Sequence, residues 1–174
     1  MRKTILWTVL LLSVVFSGSY SVPAQKAAGS ADNLSAEIIT LERSAIDRWI
    51  TGDPEGYLGL YAPEMTYFDP MQEKRVDGLE ALKTLFAPMK TTKRPIREPR
   101  YEMIDPKVQR HGEVALLTFN VINYGKLPNQ PETVLARWNV TEVYSRIDGK
   151  WKIIHGHFSF TKPEIKRDTN QPGE

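Results

Sequence analysis

The feature of the sequence that most constrains the fold is a pair of strand-like segments, residues 140–147 and 150–158, joined by Asp148-Gly149. An Asp-Gly dipeptide readily adopts the positive φ angles of a two-residue hairpin turn, and such a turn fixes the register of both strands. The register predicted from this turn places Glu142 opposite His155. We therefore predict an antiparallel hairpin whose pairing is determined by two residues.

Side-chain alternation along the two strands extends this prediction to one face of the hairpin, because every second side chain points to the same side. The residues predicted to share this face are Glu142, Tyr144, Trp151, Ile153, His155 and His157. A carboxylate and two imidazoles among aromatic and apolar side chains are typical of the floor of a pocket.

Residues 1–24 have the organisation of a secretory signal peptide. Arg2 and Lys3 precede an apolar run over residues 5–16, and a small, polar segment ends at Ala24. The apolar run is shorter than a membrane-spanning helix requires. The sequence therefore predicts a secreted or periplasmic protein with no stable membrane insertion after cleavage; the alternative is an uncleaved N-terminal anchor.

The charge balance changes when this segment is removed. The chain of 174 residues has 23 Lys and Arg against 21 Asp and Glu, and loss of Arg2 and Lys3 leaves 21 against 21. A neutral chain lacks the basic surface expected of a nucleic-acid-binding protein, so we predict no nucleic-acid partner. The sequence contains no cysteine, so the fold depends on its core without disulfides.

The rest of the chain alternates between helical and strand patterns. Apolar residues recur at helical spacing between Leu34 and Ile50, a short second helix starts at Pro54, and a third covers residues 79–86. Strands are predicted at residues 65–69, 73–76, 97–104, 114–124, 137–146 and 151–160.

This order of elements predicts an α+β fold, in which a cone-shaped, curved antiparallel sheet packs against three helices from the N-terminal half. The predicted domain covers residues 34–162. It follows a flexible leader at residues 25–33 and precedes a polar, disordered tail at residues 163–174.

Three segments carry a resemblance to a known superfamily: YLGLYAPEMTYFDP at residues 57–70, VDGLEAL at 76–82 and DGKWKIIHGH at 148–157. Over residues 34–160 the chain resembles the nuclear-transport-factor-like superfamily. Within that superfamily it is most similar to the SnoaL-like branch and to the association domain of the calcium/calmodulin-dependent kinase II.

The resemblance implies a cystatin-like α+β roll with a cavity between sheet and helices. It also implies self-association through the outer face of the sheet, as a dimer or a ring. The activity stays open, because the superfamily includes isomerases, cyclases, epoxide hydrolases, scaffolds and binding proteins. The kinase domain has a pocket arginine at the position of Glu142, so the charge is reversed in this chain.

Glu142 and His155 are the first candidate catalytic pair. A buried carboxylate beside an imidazole would hold one tautomer, raise the pKa of the imidazole and make it a general base or acid near neutral pH. The alternative is a structural cross-strand pair that satisfies two polar groups inside the sheet.

Asp69 is the second candidate, because the resemblance implies that members with proton-transfer activity use a carboxylate in the cavity. Tyr67 shares the face of Asp69 and would donate a hydrogen bond to an enolate oxygen. The alternatives are a turn aspartate before Pro70 and a core-filling tyrosine.

The predicted ligand-binding residues are Trp49, Tyr57, Tyr61, Tyr67, Trp138 and His157. A zinc or iron site built from His155, His157, Asp69 and Glu142 is an alternative, but we predict neither a metal nor a cofactor. The face of strand 114–124 that lines the cavity is left open between Thr118 with Asn120 and Phe119 with Asn123.

The sequence thus predicts an exported domain that binds a small hydrophobic or carbonyl-bearing ligand in its cavity. In one version of this hypothesis the domain is an isomerase- or cyclase-like enzyme. The alternative is a non-catalytic oligomerisation or interaction module.

Overall fold

The computed structural model describes residues 24–92 and 95–161, with side chains from Asp32 onward. The helices are α1 (Ala24–Ile50), α2 (Glu55–Leu58) and α3 (Leu79–Phe86), followed by a 3-10 helix (Ala87–Lys90). The strands are β1 (Tyr61–Phe68), β2 (Val76–Asp77), β3 (Arg97–His111), β4 (Val114–Lys126), β5 (Glu132–Ile147) and β6 (Lys150–Phe160). Among these residues, no helix combines the length and apolar character needed to cross a membrane.

The six strands form one curved sheet in the order β2-β1-β6-β5-β4-β3. The α-helices of the described residues all precede Ala87, and this architecture confirms the predicted α+β class. One prediction about the sheet is wrong: it is not wholly antiparallel, because β1 runs parallel to β6. The connection between these strands is long enough to cross the sheet, as parallel pairing requires.

Helix α1 packs on the inner face of the sheet through a stripe at helical spacing. Ile38, Ala45 and Ile46 are buried there, and Glu42 lies in the same stripe with no exposed surface. The helix ends at Ile50, and Gly52, two residues further on, has a φ of 91° in the left-handed region. The Asp53 carboxylate then accepts a hydrogen bond from the Glu55 amide at the start of α2.

Several predicted boundaries differ from the structure. Residues 25–33, predicted to be a flexible leader, belong to α1, which begins at Ala24. The second helix stops at Leu58, because Tyr61 already begins β1. Apart from Ala24, the predicted signal peptide and the tail at residues 163–174 lie outside the described residues.

The hairpin turn is confirmed. Asp148 and Gly149 have φ angles of 49° and 76°, and Ile147 pairs with Lys150. The pairing further along is not as predicted, because a bulge interrupts the register between Tyr144 and Val143.

The bulge changes the partner of Glu142, which pairs with Gly156, while His155 pairs with Val143. A shift of one residue moves side chains to the opposite face of a sheet. His155 and His157 therefore lie on the outer face, while Glu142 faces the helices. The predicted juxtaposition of Glu142 and His155 is wrong.

Gly156 gives the physical reason for this shift. A Cβ atom at this position would lie 2.5 Å from the Tyr61 hydroxyl oxygen and 3.3 Å from Cδ2 of Tyr67. The space opposite Glu142 is thus filled by two tyrosine rings. A histidine in that position would overlap them, so glycine takes the inward place.

Cross-strand pairing divides the side chains into two surfaces. On the inner face, Leu117, Glu142, Gly156 and Tyr67 form one row across four strands. On the outer face, Thr118, Thr141, His157 and Phe68 form the adjacent row. The question left open for β4 is thereby answered: Phe119 and Asn123 face inward, and Thr118 and Asn120 face outward.

Gly156→Ala tests this packing. We expect the free energy of unfolding to fall by about 1–3 kcal/mol, the usual cost of inserting a methyl group into a packed core. Urea denaturation measures this change. Tyr61→Phe removes the oxygen that the new methyl group meets, so the loss should be smaller when Gly156→Ala is made in the Tyr61→Phe background. Equal losses in both backgrounds would contradict the proposed contact.

Candidate functional site

The inner face of the sheet and the helices enclose a pocket that is partly open to solvent. Its enclosed volume is about 90 Å³, and eight of its twelve lining residues are aromatic. The lining residues are Ile46, Trp49, Tyr57, Tyr61, Tyr67, Asp69, Phe86, Phe119, Val121, Asn123, Trp138 and Phe158.

The rings of the pocket hold one another in place through edge-to-face contacts. Trp49, at the end of α1, contacts Tyr57 with 5.7 Å between ring centroids and Phe86 with 4.8 Å. Tyr67 contacts Phe86 at 5.9 Å and Tyr61 at 6.2 Å. These contacts join α1, α2, α3 and β1, so the ring positions are set by the packing of the domain.

Asp69 is the charged residue of the pocket lining. It follows the last residue of β1, and its Oδ2 accepts a hydrogen bond from the Tyr67 hydroxyl at 2.8 Å. Its Oδ1 accepts one from the Met71 amide at 2.7 Å. Both carboxyl oxygens of Asp69 therefore act as hydrogen-bond acceptors. These two bonds fix the carboxylate at the edge of the pocket.

A second acidic cluster lies behind the pocket and consists of the fully buried pair Glu42 and Glu142. The Tyr57 and Tyr144 hydroxyls each donate to Glu42 at 2.6 Å. Glu142 accepts from Tyr61 at 3.3 Å, and its Oε2 lies 3.2 Å from the Tyr144 hydroxyl oxygen. The pair thus joins α1 to β5, with α2 and β1 tied in through their tyrosines.

Burial raises the pKa of Glu142 well above its ordinary value of 4.5, and the charge of Glu42 raises it further. The hydrogen bonds from Tyr144 and Tyr61 oppose this shift, but they are the smaller effects. The shift favours the protonated form of Glu142 in the folded chain, beside the hydrogen-bond acceptor Glu42.

The tyrosines of both clusters keep their protons. Burial is the main cause of the raised pKa of Tyr57, Tyr61, Tyr67 and Tyr144, and neighbouring carboxyl groups add to it. Within the pocket lining, each of the three tyrosine hydroxyls donates to a carboxyl group.

The two histidines of the predicted site lie on the other side of the sheet. His155 Nδ1 is 2.7 Å from the Thr66 hydroxyl, and both imidazoles contact Phe68. We predicted that Glu142 raises the pKa of His155; instead burial lowers it, with His157 and Arg75 as smaller causes. A metal site shared with Asp69 and Glu142 is not assembled, because the bulge separates the histidines from both carboxyl groups.

The predicted residues that do come together are Trp49, Tyr57, Tyr61, Tyr67, Asp69 and Trp138, which all line the pocket. Their roles in binding or catalysis stay predictions. The sequence analysis missed Glu42, although a carboxyl group four residues from both Ile38 and Ile46 is a recognisable signal within an apolar helical stripe. It also missed Phe158 as a lining residue, because the bulge brings this side chain inward.

Comparison with known families agrees with this architecture. Residues 34–162 match the family model of the calcium/calmodulin dependent protein kinase II association domain. The chain belongs to this family. The match covers most of the sequence and includes every residue of the pocket and of the buried carboxyl pair, which confirms the resemblance stated above.

The solved structures similar to this chain include a candidate isomerase, a hub homology domain and a protein of unknown function. A candidate ketosteroid isomerase from Parabacteroides distasonis is 38% identical, with 72% of this chain and 86% of that chain covered and a TM-score of 0.58. The calcium/calmodulin-dependent kinase II hub homology domain of Chlamydamonas reinhardtii is 25% identical, with coverage of 74% and 99% and a TM-score of 0.63.

A nuclear-transport-factor-2-like protein of unknown function from Pseudomonas putida is 20% identical, with coverage of 78% and 91% and a TM-score of 0.61. At this identity the likeness shows the fold alone. The comparison with curated proteins gave no match.

The raised pKa of Glu142 predicts how stability depends on pH. The folded state holds a proton that the unfolded chain releases, so this contribution is complete below the ordinary pKa of 4.5 and is lost as pH rises toward the folded value. We expect Glu142→Gln to remove a decrease of up to about 1.4 kcal/mol per pH unit that begins as pH rises above the ordinary value of 4.5. Urea denaturation at several pH values measures it.

Glu64→Gln, which changes an exposed carboxyl group on β1, is the matched control and should keep the pH dependence of the unmodified chain. A Glu142→Gln variant whose stability changes with pH as steeply as that of the unmodified chain would contradict the assignment of the buried proton.

Proposed function

We propose that this member of the association-domain family binds a small molecule in its aromatic pocket. The apolar part of the ligand lies between the rings, and a polar group of the ligand meets Asp69. The observation that carries the proposal is the position of one hydrogen-bonded carboxylate at the edge of eight aromatic rings.

The fixed geometry of the pocket supports binding, because a preformed site loses little conformational entropy when a ligand enters. The rings are held by their mutual contacts, and Asp69 is held by Tyr67 and Met71. An apolar lining with few polar groups is the usual composition of small-molecule sites.

Proton-transfer chemistry is the narrower version of this proposal, and it depends on Asp69 as the base, since His155 lies on the outer face. An enolate intermediate needs hydrogen-bond donors directed at its oxygen. The tyrosine hydroxyls of this pocket donate to carboxyl groups instead. The geometry therefore supports binding better than an isomerase, although one relative is named a candidate isomerase.

Val121→Phe tests binding in the pocket, because a phenyl group on this inward position of β4 would occupy the space of the ligand. We expect small aromatic probes, with indole and phenol as the first choices, to raise the melting temperature of the unmodified chain but not of Val121→Phe. His155→Gln is the control on the outer face and should retain the shift. Probes that stabilise Val121→Phe as much as the unmodified chain would contradict the proposal.

Self-association is a second candidate function, supported by the outer face of the sheet. The row Thr66, His155, Val143 and Leu116 is half-buried, and the neighbouring row ends at Phe68, which is 40% exposed. A sheet surface with small and apolar side chains suits contact with a second copy of the chain. A relative named a hub homology domain adds support.

Thr118→Arg tests this second candidate, because it places a charge in the middle of the outer face. We expect the unmodified chain to elute as an oligomer and Thr118→Arg as a monomer in size-exclusion chromatography with light scattering. Thr84→Arg makes the same change on an exposed position of α3 and should leave the oligomer intact. A monomeric unmodified chain at micromolar concentration would reject self-association.

Export stays a prediction from the sequence, since residues 1–23 lie outside the described part of the chain. If the chain is exported, its ligand is a molecule of the periplasm or the surroundings of the cell.

A further inference from the structure

The lining of the pocket has an unbalanced charge. Among its twelve residues, Asp69 is acidic, and none is lysine, arginine or histidine. The lining also contains one amide side chain, that of Asn123, which is neutral. An anionic ligand would therefore meet a carboxylate without a compensating cation at the pocket wall.

The orientation of the tyrosine hydroxyls strengthens this imbalance. Tyr57 and Tyr61 direct their O–H groups away from the pocket to the buried carboxyl pair, and Tyr67 directs its own to Asp69. The three tyrosine hydrogens are therefore not available to stabilise a negative ligand. The ring faces, which carry the negative part of the aromatic quadrupole, remain.

The buried carboxyl pair adds further acceptor oxygens behind the rings. Glu42 accepts hydrogen bonds from two hydroxyls and forms no ion pair with a basic side chain of the described residues. The nearest rings, those of Tyr57 and Tyr61, separate the pair from the ligand.

Ring faces with a carboxylate at the edge are the arrangement that recognises substituted ammonium groups. The cavity volume of about 90 Å³ suits one compact head group. We propose that the ligand of this pocket is an organic cation, an ammonium group with methyl or short alkyl substituents, held by the ring faces and by Asp69. This inference rests on the proposed function of the pocket.

Three probes of nearly equal shape test the inference by calorimetry on the full chain. Choline carries the cation. Neohexyl alcohol (3,3-dimethylbutan-1-ol) replaces trimethylammonium with a neutral tert-butyl group. The anion 3,3-dimethylbutanoate, called tert-butylacetate below, carries a negative charge. We expect choline to bind at least about tenfold more tightly than neohexyl alcohol, and tert-butylacetate to bind most weakly.

Two variants separate charge from shape. Asp69→Asn keeps the size of the side chain and removes its charge, so it should weaken choline by about tenfold and leave neohexyl alcohol unchanged. Val121→Phe should abolish binding of both probes, and His155→Gln should change neither. If Asp69→Asn does not fold, the comparison of the three probes on the unmodified chain still decides the matter.

Equal binding of choline and neohexyl alcohol, or tighter binding of tert-butylacetate, would overturn the cation inference and leave the proposed binding function in place. The cation inference would also fail, and the binding function would stand, if choline does not bind while neutral aromatic probes bind the unmodified chain but not Val121→Phe. Failure of every probe, charged and neutral, would overturn both.

Discussion

The hydrogen bonds between Glu42, Glu142 and their tyrosines are the interaction on which the rest of the domain depends. Two carboxyl groups without solvent contact cost several kcal/mol unless they are neutralised and hydrogen-bonded. Here one proton and three hydroxyls fulfil that requirement. Because these hydrogen-bonding groups come from α1, α2, β1 and β5, forming the hydrogen bonds also fixes how the four elements pack. The same bonds turn the hydroxyls of Tyr57 and Tyr61 away from the pocket and so determine its chemistry.

The bulge in β6 has an equally large effect on function, because it sorts side chains between two surfaces of opposite character. The inner surface contains aromatic rings, Asp69 and the buried carboxyl pair. The outer surface contains the two histidines, threonines and Phe68. Without the bulge the imidazoles would face the pocket, where they would offset its negative charge. One additional residue in a strand therefore separates the proposed ligand site from the surface proposed for self-association.

The predictions from the sequence succeeded where the signal is local. The positive φ angles at Asp148-Gly149, the apolar stripe of α1 and the aromatic residues near the ends of helices all follow from short segments and simple periodicity. The register beyond Tyr144 was wrong because nothing in β6 itself reveals that two tyrosine rings from β1 occupy the space beside Gly156. Glu42 was missed because its importance depends on a partner a hundred residues away.

The sequence by itself determined the class of fold, the family and most of the residues around the pocket, since turn chemistry, hydrophobic periodicity and motif similarity are properties of neighbouring residues. Only the tertiary structure decided which polar groups share an environment. Side-chain alternation assigns a face only relative to a register, and the register of β6 depends on close packing against Tyr61 and Tyr67. That packing paired Glu142 with Glu42 and not with His155, and it left Asp69 as the charged group of the pocket.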